Sequence, residues 1–176
     1  MRPWLLSRSD RRASFPGQGS CPPLKAVIQR VRSASVTVDG RLVARVGPGL
    51  LVLLGVATGD GDAEVDRLVR KIAGLRVFAD GAGRMNLSVV EVGGSLLVVS
   101  QFTIVGDCST GRRPSFTGAA APDEGRRLYE AFVARAAAIA GVPVQCGVFG
   151  ADMLVALEND GPVTFILDTR SGAGCR

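Results

Sequence analysis

Residues 49–57, GLLVLLGVA, and residues 62–75, DAEVDRLVRKIAGL, together decide the fold class of this chain. The first stretch is a continuous apolar run bounded by glycines, which predicts a strand buried on both faces of a sheet. The second changes period, with Asp60 or Asp62 suited to capping a helix and Gly74 to ending it. A helix that follows a buried strand predicts an α/β domain. The inward-facing helix residues are Val65, Leu68, Val69 and Ile72.

Signals for further strands surround this pair of elements. In residues 25–47, KAVIQRVRSASVTVDGRLVARVG, partial alternation of apolar residues around Asp39-Gly40 predicts a β-hairpin. Residues 75–88, LRVFADGAGRMNLS, indicate a short strand, LRVF, followed by a loop, DGAGRMNLS. Residues 95–105, SLLVVSQFTIV, indicate an apolar strand, and the long irregular segment behind it has the length of a functional loop.

A second helix is predicted to begin at Pro122 and to end at Gly141. Proline suits the first helical turn, and glycine suits the position after the last one. Asp123 and Glu124 fit the positive end of the helix dipole. The predicted inward stripe of this helix consists of Leu128, Phe132, Ala136 and Ile139.

The remaining sequence predicts two or three strands, and with them a sheet covered by helices on one side. Asn, Asp, Gly and Pro are the residues that build turns, so residues 159–165, NDGPVTF, predict a hairpin turn between the last two strands. The predicted strands are residues 144–150, 153–158 and 163–169.

The composition excludes several classes of protein. With 176 residues, 47% hydrophobic and 21% charged, the chain fits one globular domain, and its apolar runs are too short to span a membrane. The absence of histidine removes Ser-His-Asp and Cys-His hydrolases and most transition-metal sites. A net charge of +5 permits contact with phosphates. The four cysteines lie far apart and form no CxxC pair, which predicts reduced thiols in a cytosolic protein. They are Cys21, Cys108, Cys146 and Cys175.

Residues 1–24 are rich in Arg, Ser, Pro and Gly and have no periodicity. Their apolar core is too short for a secretory signal, whereas the arginines and the shortage of acidic residues resemble an organelle transit peptide. The alternative, which we favour, is a start site placed too far upstream, with Leu24 read from a non-standard start codon. The predicted domain therefore spans residues 25–170, and residues 171–176 form a tail.

Two groups of polar residues are candidates for a binding site. In residues 100–103, SQFT, backbone N–H groups and polar side chains could receive a ligand at a strand end; alternatively, the strand simply emerges into solvent there. Arg112 and Arg113, close to Phe116, could bind phosphate and stack on a base, although solvated surface arginines are commoner. The glycine motifs that bind nucleotide cofactors do not occur.

These motifs, taken in order and spacing, resemble those of the D-aminoacyl-tRNA deacylases. The matching stretches are KAVIQRV, RKIAGLRVF with its DGAGRMNLS loop, SQFT, RRPSF and NDGPVTF, and they extend from Lys25 to about Arg170. SQFT and NDGPVT are specific as a pair, while Thr110 stands where many members have lysine. The resemblance implies a three-layer α/β/β domain that forms a homodimer, binds tRNA in the cytoplasm, and uses no cofactor or metal.

The resemblance also implies the reaction, which is hydrolysis of the ester between a D-amino acid, or glycine, and the 3′-terminal adenosine of tRNA. In such enzymes the Gly-Pro peptide is cis and enters the partner's active site, so Gly161 and Pro162 are expected to exclude L-amino acids. The contacts expected with tRNA and substrate are Arg84, Met85, Asn86, Arg112, Arg113, Pro114, Ser115, Phe116, Asn159, Val163 and Thr164.

The catalytic residues implied by the resemblance lie in SQFT. Backbone N–H groups near Ser100, Gln101 and Phe102 are expected to form an oxyanion hole. Thr103 is expected to position the substrate, because a threonine hydroxyl needs a base to act as nucleophile and none is evident. Three alternatives stay open: a related deacylase that edits L-alanine on mischarged tRNA, a non-catalytic tRNA-binding dimer, and a scaffold domain without an RNA partner.

Overall fold

The computed structural model describes residues 24–169. The predicted tail and the predicted N-terminal extension, apart from Leu24, lie outside the described residues. Leu24 is fully buried, and its N–H donates to the carboxylate of Asp60 at 2.8 Å. The described residues contain no helix with the length and apolarity needed to cross a membrane.

Eight strands and two α-helices make up the described domain, together with a short 3₁₀ helix, Phe102–Val105. The helices are α1 (Asp62–Ala73) and α2 (Pro122–Ala140). The strands are β1 (Lys25–Val38), β2 (Arg41–Val46), β3 (Gly49–Gly55), β4 (Phe78–Ala79), β5 (Met85–Leu87), β6 (Ser95–Ser100), β7 (Val144–Cys146) and β8 (Leu154–Asp168).

Six of these strands form one mixed sheet. The strand β1 pairs antiparallel with β2, β3 and β8, so it connects three parts of the sheet. From β3 the sheet continues by parallel pairing to β6 and then to β7. The strands β4 and β5 form a separate two-stranded ribbon. Three parallel strands therefore end at the same edge of the main sheet.

Two apolar cores, one on each face of the sheet, give the domain three layers. On one face, α1 and α2 pack over Leu50 and Val52 of β3. On the other face, Leu51 packs with residues of β1, β2 and β6, which places β2 over the sheet as a second β-layer. The predictions of an α/β/β arrangement and of a strand buried on both faces are therefore confirmed.

The hairpin and the helical stripe predicted near the N-terminus are also confirmed. Asp39 and Gly40 have φ values of 49° and 73°, the left-handed geometry that a two-residue hairpin turn requires. Gly74 follows the last turn of α1. The buried residues of α1 include all four predicted members of its stripe, Val65, Leu68, Val69 and Ile72.

Two details of the helices were predicted wrongly. The residue preceding α1 is Gly61, whose N–H donates to the Glu64 carboxylate at 3.0 Å, so neither predicted aspartate caps the helix. Asp60 instead accepts hydrogen bonds from the N–H groups of Leu24 and Ala57. On α2 the predicted inward residue Ile139 is 45% exposed, whereas Leu128, Phe132 and Ala136 are buried.

The apolar strand predicted over residues 95–105 ends at Ser100, and the chain turns into the 3₁₀ helix. Gly55 makes this close packing possible, since a Cβ there would lie 2.6 Å from the Ile104 side chain. Two further boundaries were wrong: β7 stops at Cys146, and the loop predicted after LRVF contains β5, which pairs with β4.

The hairpin turn predicted for NDGPVTF is wrong, because both flanking stretches belong to the single strand β8. Gln29 of β1 pairs with Thr164, whereas Val31 pairs with Asn159. Four residues of β8 therefore face one residue of β1, and the segment from Asp160 to Val163 bulges out of the ladder without reversing the chain. The antiparallel pairing on both sides of the bulge overrides the local turn signal.

Candidate active site

A cavity of about 500 Å³ lies at the edge where the parallel strands β3, β6 and β7 end. Ligands of α/β proteins bind at this edge because the loops leaving the strands diverge there. Its walls come from Leu54 of β3, the first turns of α2, and the segment from Phe149 to Met153 that follows β7. The lining is mostly apolar, with polar groups supplied by Ser100, Gln101 and Asp152.

Three residues of SQFT line this cavity, namely Ser100, Gln101 and Phe102. The Gln101 N–H donates to the Leu54 carbonyl at 2.7 Å, so it is not a free oxyanion donor as the sequence suggested. Phe102 and Thr103 begin the 3₁₀ helix. The first N–H groups of a helix have no acceptor within that helix. The N–H groups of Phe102 and Thr103 are therefore the backbone donors best suited to an oxyanion hole.

The Thr103 side chain is exposed and lies outside the cavity lining. Its hydroxyl accepts a hydrogen bond from the Gln101 side-chain amide. An amide donor cannot remove a proton from a hydroxyl group, so this contact orients Thr103 without activating it. This contact fits a positioning role for Thr103 and gives its hydroxyl no base.

Aromatic side chains build two parts of the site. Phe102 is 57% exposed and meets Phe116 edge to face, with the ring centroids 5.1 Å apart. The Phe116 ring also packs on Gly106, where a Cβ would lie 2.7 Å from it. This contact anchors the long loop after β6 beside the SQFT motif.

Tyr129 and Phe149 form the opposite wall of the cavity, with their ring centroids 5.7 Å apart. The buried Tyr129 hydroxyl lies 3.0 Å from the Val98 carbonyl and 3.2 Å from the Gly147 carbonyl. Burial raises the pKa of Tyr129, and the nearby Cys146 adds to this effect. The hydroxyl therefore stays protonated and ties α2 to the ends of β6 and β7.

Gly161 and Pro162 are exposed at the bulge of β8, and the peptide bond between them is cis. Arg30 of β1 holds the segment, because its Nε donates to the Asp160 carbonyl at 3.1 Å and lies 3.0 Å from the Asp160 carboxylate. The Nη1 of Arg30 donates to the Val77 carbonyl. Only 13% of the Arg30 side chain is exposed, so the segment is attached to a fixed group.

The remaining residues predicted in the NDGPVT stretch have different environments. Asn159 and Thr164 are exposed and pair with β1 on either side of the bulge. Val163 is 9% exposed and belongs to the core beneath the helices. None of the three lines the cavity of its own chain, and neither do Gly161 and Pro162.

The loop that carries Arg84, Met85 and Asn86 is organised by Asp80. Its carboxylate accepts hydrogen bonds from the Arg84 N–H at 2.9 Å and from the Asn86 side-chain amide at 2.6 Å. These contacts, led by the Arg84 N–H, lower the pKa of Asp80. The three predicted contact residues are exposed, but they lie outside the cavity lining.

The long loop after β6 is closed by a pair of backbone hydrogen bonds between Asp107 and Ser115, each 2.8 Å long. Arg112, Arg113 and Pro114 lie within this closed loop and are exposed. The Ser115 hydroxyl contacts the Thr117 hydroxyl at 3.2 Å. The two arginines are therefore presented to solvent on a braced loop.

Sequence reasoning missed Arg30, Asp80, Tyr129 and Phe149. The sequence of β1 did not set Arg30 apart, because Arg32 on the same strand carries the same charge. Phe149 follows β7 just as SQFT follows β6, so a parallel sheet would have brought them together. Tyr129 adjoins Leu128 of the predicted stripe, and its hydroxyl contacts depend on the fold.

Comparison with known proteins identifies the family. The family model for D-Tyr-tRNA(Tyr) deacylase matches residues 27–168. A D-aminoacyl-tRNA deacylase of Geobacter sulfurreducens is 60% identical over 148 residues, which cover 84% of this chain and 97% of that protein. One of Ruegeria pomeroyi is 58% identical over 145 residues, which cover 82% and 99%.

Two solved structures share the fold. A c-Myc DNA unwinding element binding protein superposes with a TM-score of 0.77 and 39% identity, over 82% of this chain and 97% of that one. A probable eukaryotic D-amino acid tRNA deacylase superposes with a TM-score of 0.72 at 20% identity, over 82% and 98%. The family model matches residues 27–168, and the two deacylases are 60% and 58% identical, so the chain belongs to the D-Tyr-tRNA(Tyr) deacylase family.

Proposed function

We propose that this protein hydrolyses the ester bond of D-aminoacyl-tRNA, and of tRNA mischarged with glycine, to release the free amino acid and tRNA. The observation that carries the proposal is the cavity at the sheet edge, which has SQFT on one side and the Phe149 ring on the other. Its size and apolar lining suit a nucleoside such as the terminal adenosine. Relatives that match over 97% and 99% of their own length are named D-aminoacyl-tRNA deacylases.

The proposed chemistry needs little from the side chains, because an aminoacyl ester is already activated. A water oxygen attacks the ester carbonyl, and the backbone N–H groups of Phe102 and Thr103 stabilise the resulting oxyanion. The bond to the ribose oxygen then breaks, and the water's proton passes to that oxygen. The neighbouring 2′-hydroxyl of the ribose assists the water, since neither Thr103 nor Gln101 is a base.

Gly161 and Pro162 are proposed to exclude L-amino acids by presenting backbone to the α-carbon of the substrate. An L side chain would collide with this backbone, a D side chain would point away, and glycine would have nothing to collide. The segment is exposed, is held by Arg30, and does not line the cavity of its own chain. We therefore assign it to the cavity of a second copy of the chain.

A homodimer is the assembly that this division of the site requires. The strand β8 pairs with β1 alone among the described strands, which leaves its other edge open. Large apolar side chains of β8 are exposed as well, with Leu154 at 72% and Ile166 at 73%. Open edges and exposed apolar side chains are typical of surfaces that another chain covers.

Exposed arginines are proposed to bind the tRNA backbone. Arg112 and Arg113 lie on the braced loop after β6, and Arg84 lies on the loop organised by Asp80. Arginine binds phosphate through paired hydrogen bonds and adds a salt-dependent contribution to affinity. Because the proposed substrate is an intermediate of translation, we propose the cytoplasm as the site of action.

A non-catalytic role is the second candidate, because one protein with this fold is named for binding DNA. Editing of L-alanine on mischarged tRNA is a third. The three candidate functions can be distinguished by one assay. A small amount of enzyme is incubated with excess D-Tyr-tRNA, L-Tyr-tRNA or L-Ala-tRNA, and the release of the amino acid is followed. We expect many turnovers of the D-substrate only. Binding without turnover would contradict the proposal, and so would selective cleavage of L-Ala-tRNA.

A further inference from the structure

An arginine of α2 lies over an aromatic wall of the cavity and has no acidic partner among residues 24–169. The guanidinium carbon of Arg126 is 5.0 Å from the centroid of the Phe149 ring. The side chain is exposed and lies outside the cavity lining, whereas Phe149 is part of it. In the described part of the chain, the guanidinium has no ion pair and no hydrogen-bond acceptor. Such a cation is available to an anion from outside the protein.

The other arginines of α2 differ from Arg126 in this respect. Arg127 is 2.7 Å from the Glu124 carboxylate and 3.1 Å from that of Asp62. Arg135 pairs with Asp62 and Asp66 of α1. Arg127 and Arg135 each form ion pairs with carboxylates, and those with Asp62 and Asp66 connect α2 to α1. Of the three arginines of α2, Arg126 is the one whose charge is not balanced in this way.

The position of Arg126 is fixed relative to the cavity. The neighbouring residue Gly125 lines the cavity and is buried, and a Cβ there would lie 3.5 Å from the Phe149 ring. The first turns of α2 therefore pack closely against this ring. An arginine stacked on an aromatic face loses less freedom on binding an anion than an arginine extended into solvent.

We propose that Arg126 binds the phosphate that joins the terminal adenosine of the tRNA to the preceding nucleotide. This inference rests on the proposed function, in which the adenosine occupies the cavity. An apolar cavity excludes the charged phosphate, so the phosphate must leave by the rim. There the guanidinium over Phe149 meets it and fixes the depth at which the ester reaches SQFT. Arg126 is thus a positioning residue.

Three variants and two substrates test this role. Arg126→Met removes the charge but keeps an unbranched side chain on Phe149, and Arg126→Lys keeps the charge. Arg127→Met is the matched control, since it removes the same charge one residue away. Each protein is assayed on D-Tyr-tRNA and on 3′-D-tyrosyl-adenosine, which has no phosphate, at several salt concentrations.

We expect Arg126→Met to lower kcat/KM for D-Tyr-tRNA by about tenfold at low salt, the effect of one hydrogen bond to a charged group. For this variant, the slope of log(kcat/KM) against the logarithm of the salt concentration should become less steep by about 0.7. This is the contribution of one phosphate contact to a single strand. Cleavage of D-tyrosyl-adenosine should not change, Arg126→Lys should recover part of the loss, and Arg127→Met should behave as the unaltered protein.

Two results would overturn the inference. An equal loss on both substrates would show that Arg126 acts only by supporting Phe149, and no loss on either would show that it contacts no part of the tRNA. An unaltered protein that cleaves neither substrate would contradict the proposed function itself, and this outcome is distinct from the other two.

Discussion

Arg30 and Asp160, 130 positions apart in the sequence, are joined at two points, through the backbone carbonyl and through the carboxylate of Asp160. Both contacts use the Nε of Arg30, at 3.1 Å and 3.0 Å, and the side chain is only 13% exposed. The partner of this arginine is the residue just before Gly161-Pro162. The position of the exposed bulge on β8 is therefore set by a strand that runs through the core.

Replacing Arg30 by methionine should destabilise the protein and loosen the bulge. The Asp160 and Val77 carbonyls lose their donor, so we expect the free energy of unfolding to fall by about 1–3 kcal/mol. For a chain of this size, each kcal/mol corresponds to about 2–4 °C in Tm. Arg32→Met is the control, because the Arg32 side chain is 69% exposed and reaches Asp160 only at 3.6 Å. Equal effects of the two substitutions on Tm would contradict the assignment.

Removing the Thr103 hydroxyl should leave most of the activity, because this group only accepts a hydrogen bond from Gln101. We expect Thr103→Ala to keep kcat on D-Tyr-tRNA within about tenfold, which is the scale of one lost hydrogen bond. A tRNA that ends in 2′-deoxyadenosine should lose most of its reactivity with the unaltered enzyme. A folded Thr103→Ala protein that binds substrate but does not turn it over would make Thr103 catalytic.

Filling the cavity should block the reaction while the fold survives. Ala151 lines the cavity and is half-buried, so a phenylalanine there projects into space that the adenosine is proposed to occupy. We expect Ala151→Phe to lower kcat/KM by about a hundredfold, the cost of displacing a substrate by about 1 Å. The thermal unfolding curve serves as the control for folding. Unchanged kinetics would place the substrate elsewhere.

The loop organised by Asp80 should contribute to stability only while this residue is ionised. Hydrogen bonds, led by that from the Arg84 N–H, lower its pKa below the usual 3.8. A lowered pKa in the folded state stabilises the protein above the unfolded-state value, and this stabilisation is lost as the pH falls through the folded-state value. We expect Asp80→Ala to lower the urea midpoint at pH 7, with a difference that shrinks as the pH falls below 3.8. A difference that stays constant as the pH falls below 3.8 would argue against the ionised carboxylate.

Much of the fold could be predicted because local pattern and tertiary packing agree there. The buried strand β3, the Asp39-Gly40 hairpin and the apolar stripe of α1 each follow from the periodicity of the sequence. The failures have a physical cause in common. In NDGPVTF the turn residues are real signals, but pairing of β8 with β1 on both sides keeps the chain extended. Ladder pairing depends on residues more than a hundred positions away, which a local pattern does not contain.

The candidate site was predictable in its motifs and not in its geometry. SQFT was located correctly at a strand end, but the strand stops at Ser100, and the Gln101 N–H is donated to Leu54. Phe149 joins the site only because β7 is parallel to β6. Arg30 acts on the bulge through a contact between β1 and β8 that no sequence motif marks.

In the proposed dimer, each active site combines the cavity of one copy with the Gly161-Pro162 segment of the other. Two variants that are inactive for different reasons test this arrangement. Ala151→Phe blocks the cavity. Gly161→Phe places a ring on the segment that is proposed to enter the partner's cavity, so it blocks that cavity. It also distorts the segment, because Gly161 has a φ of 131° and a Cβ there would lie 2.8 Å from the Val163 side chain.

The most direct measurement is the hydrolysis of D-Tyr-tRNA by an equal mixture of these two variants after they have been unfolded and refolded together. In a symmetric dimer, half of the molecules are mixed, and each mixed dimer has one intact site. We therefore expect the mixture to recover about a quarter of the unaltered activity. A mixture that remains as inactive as its separate components would contradict a site shared between two chains.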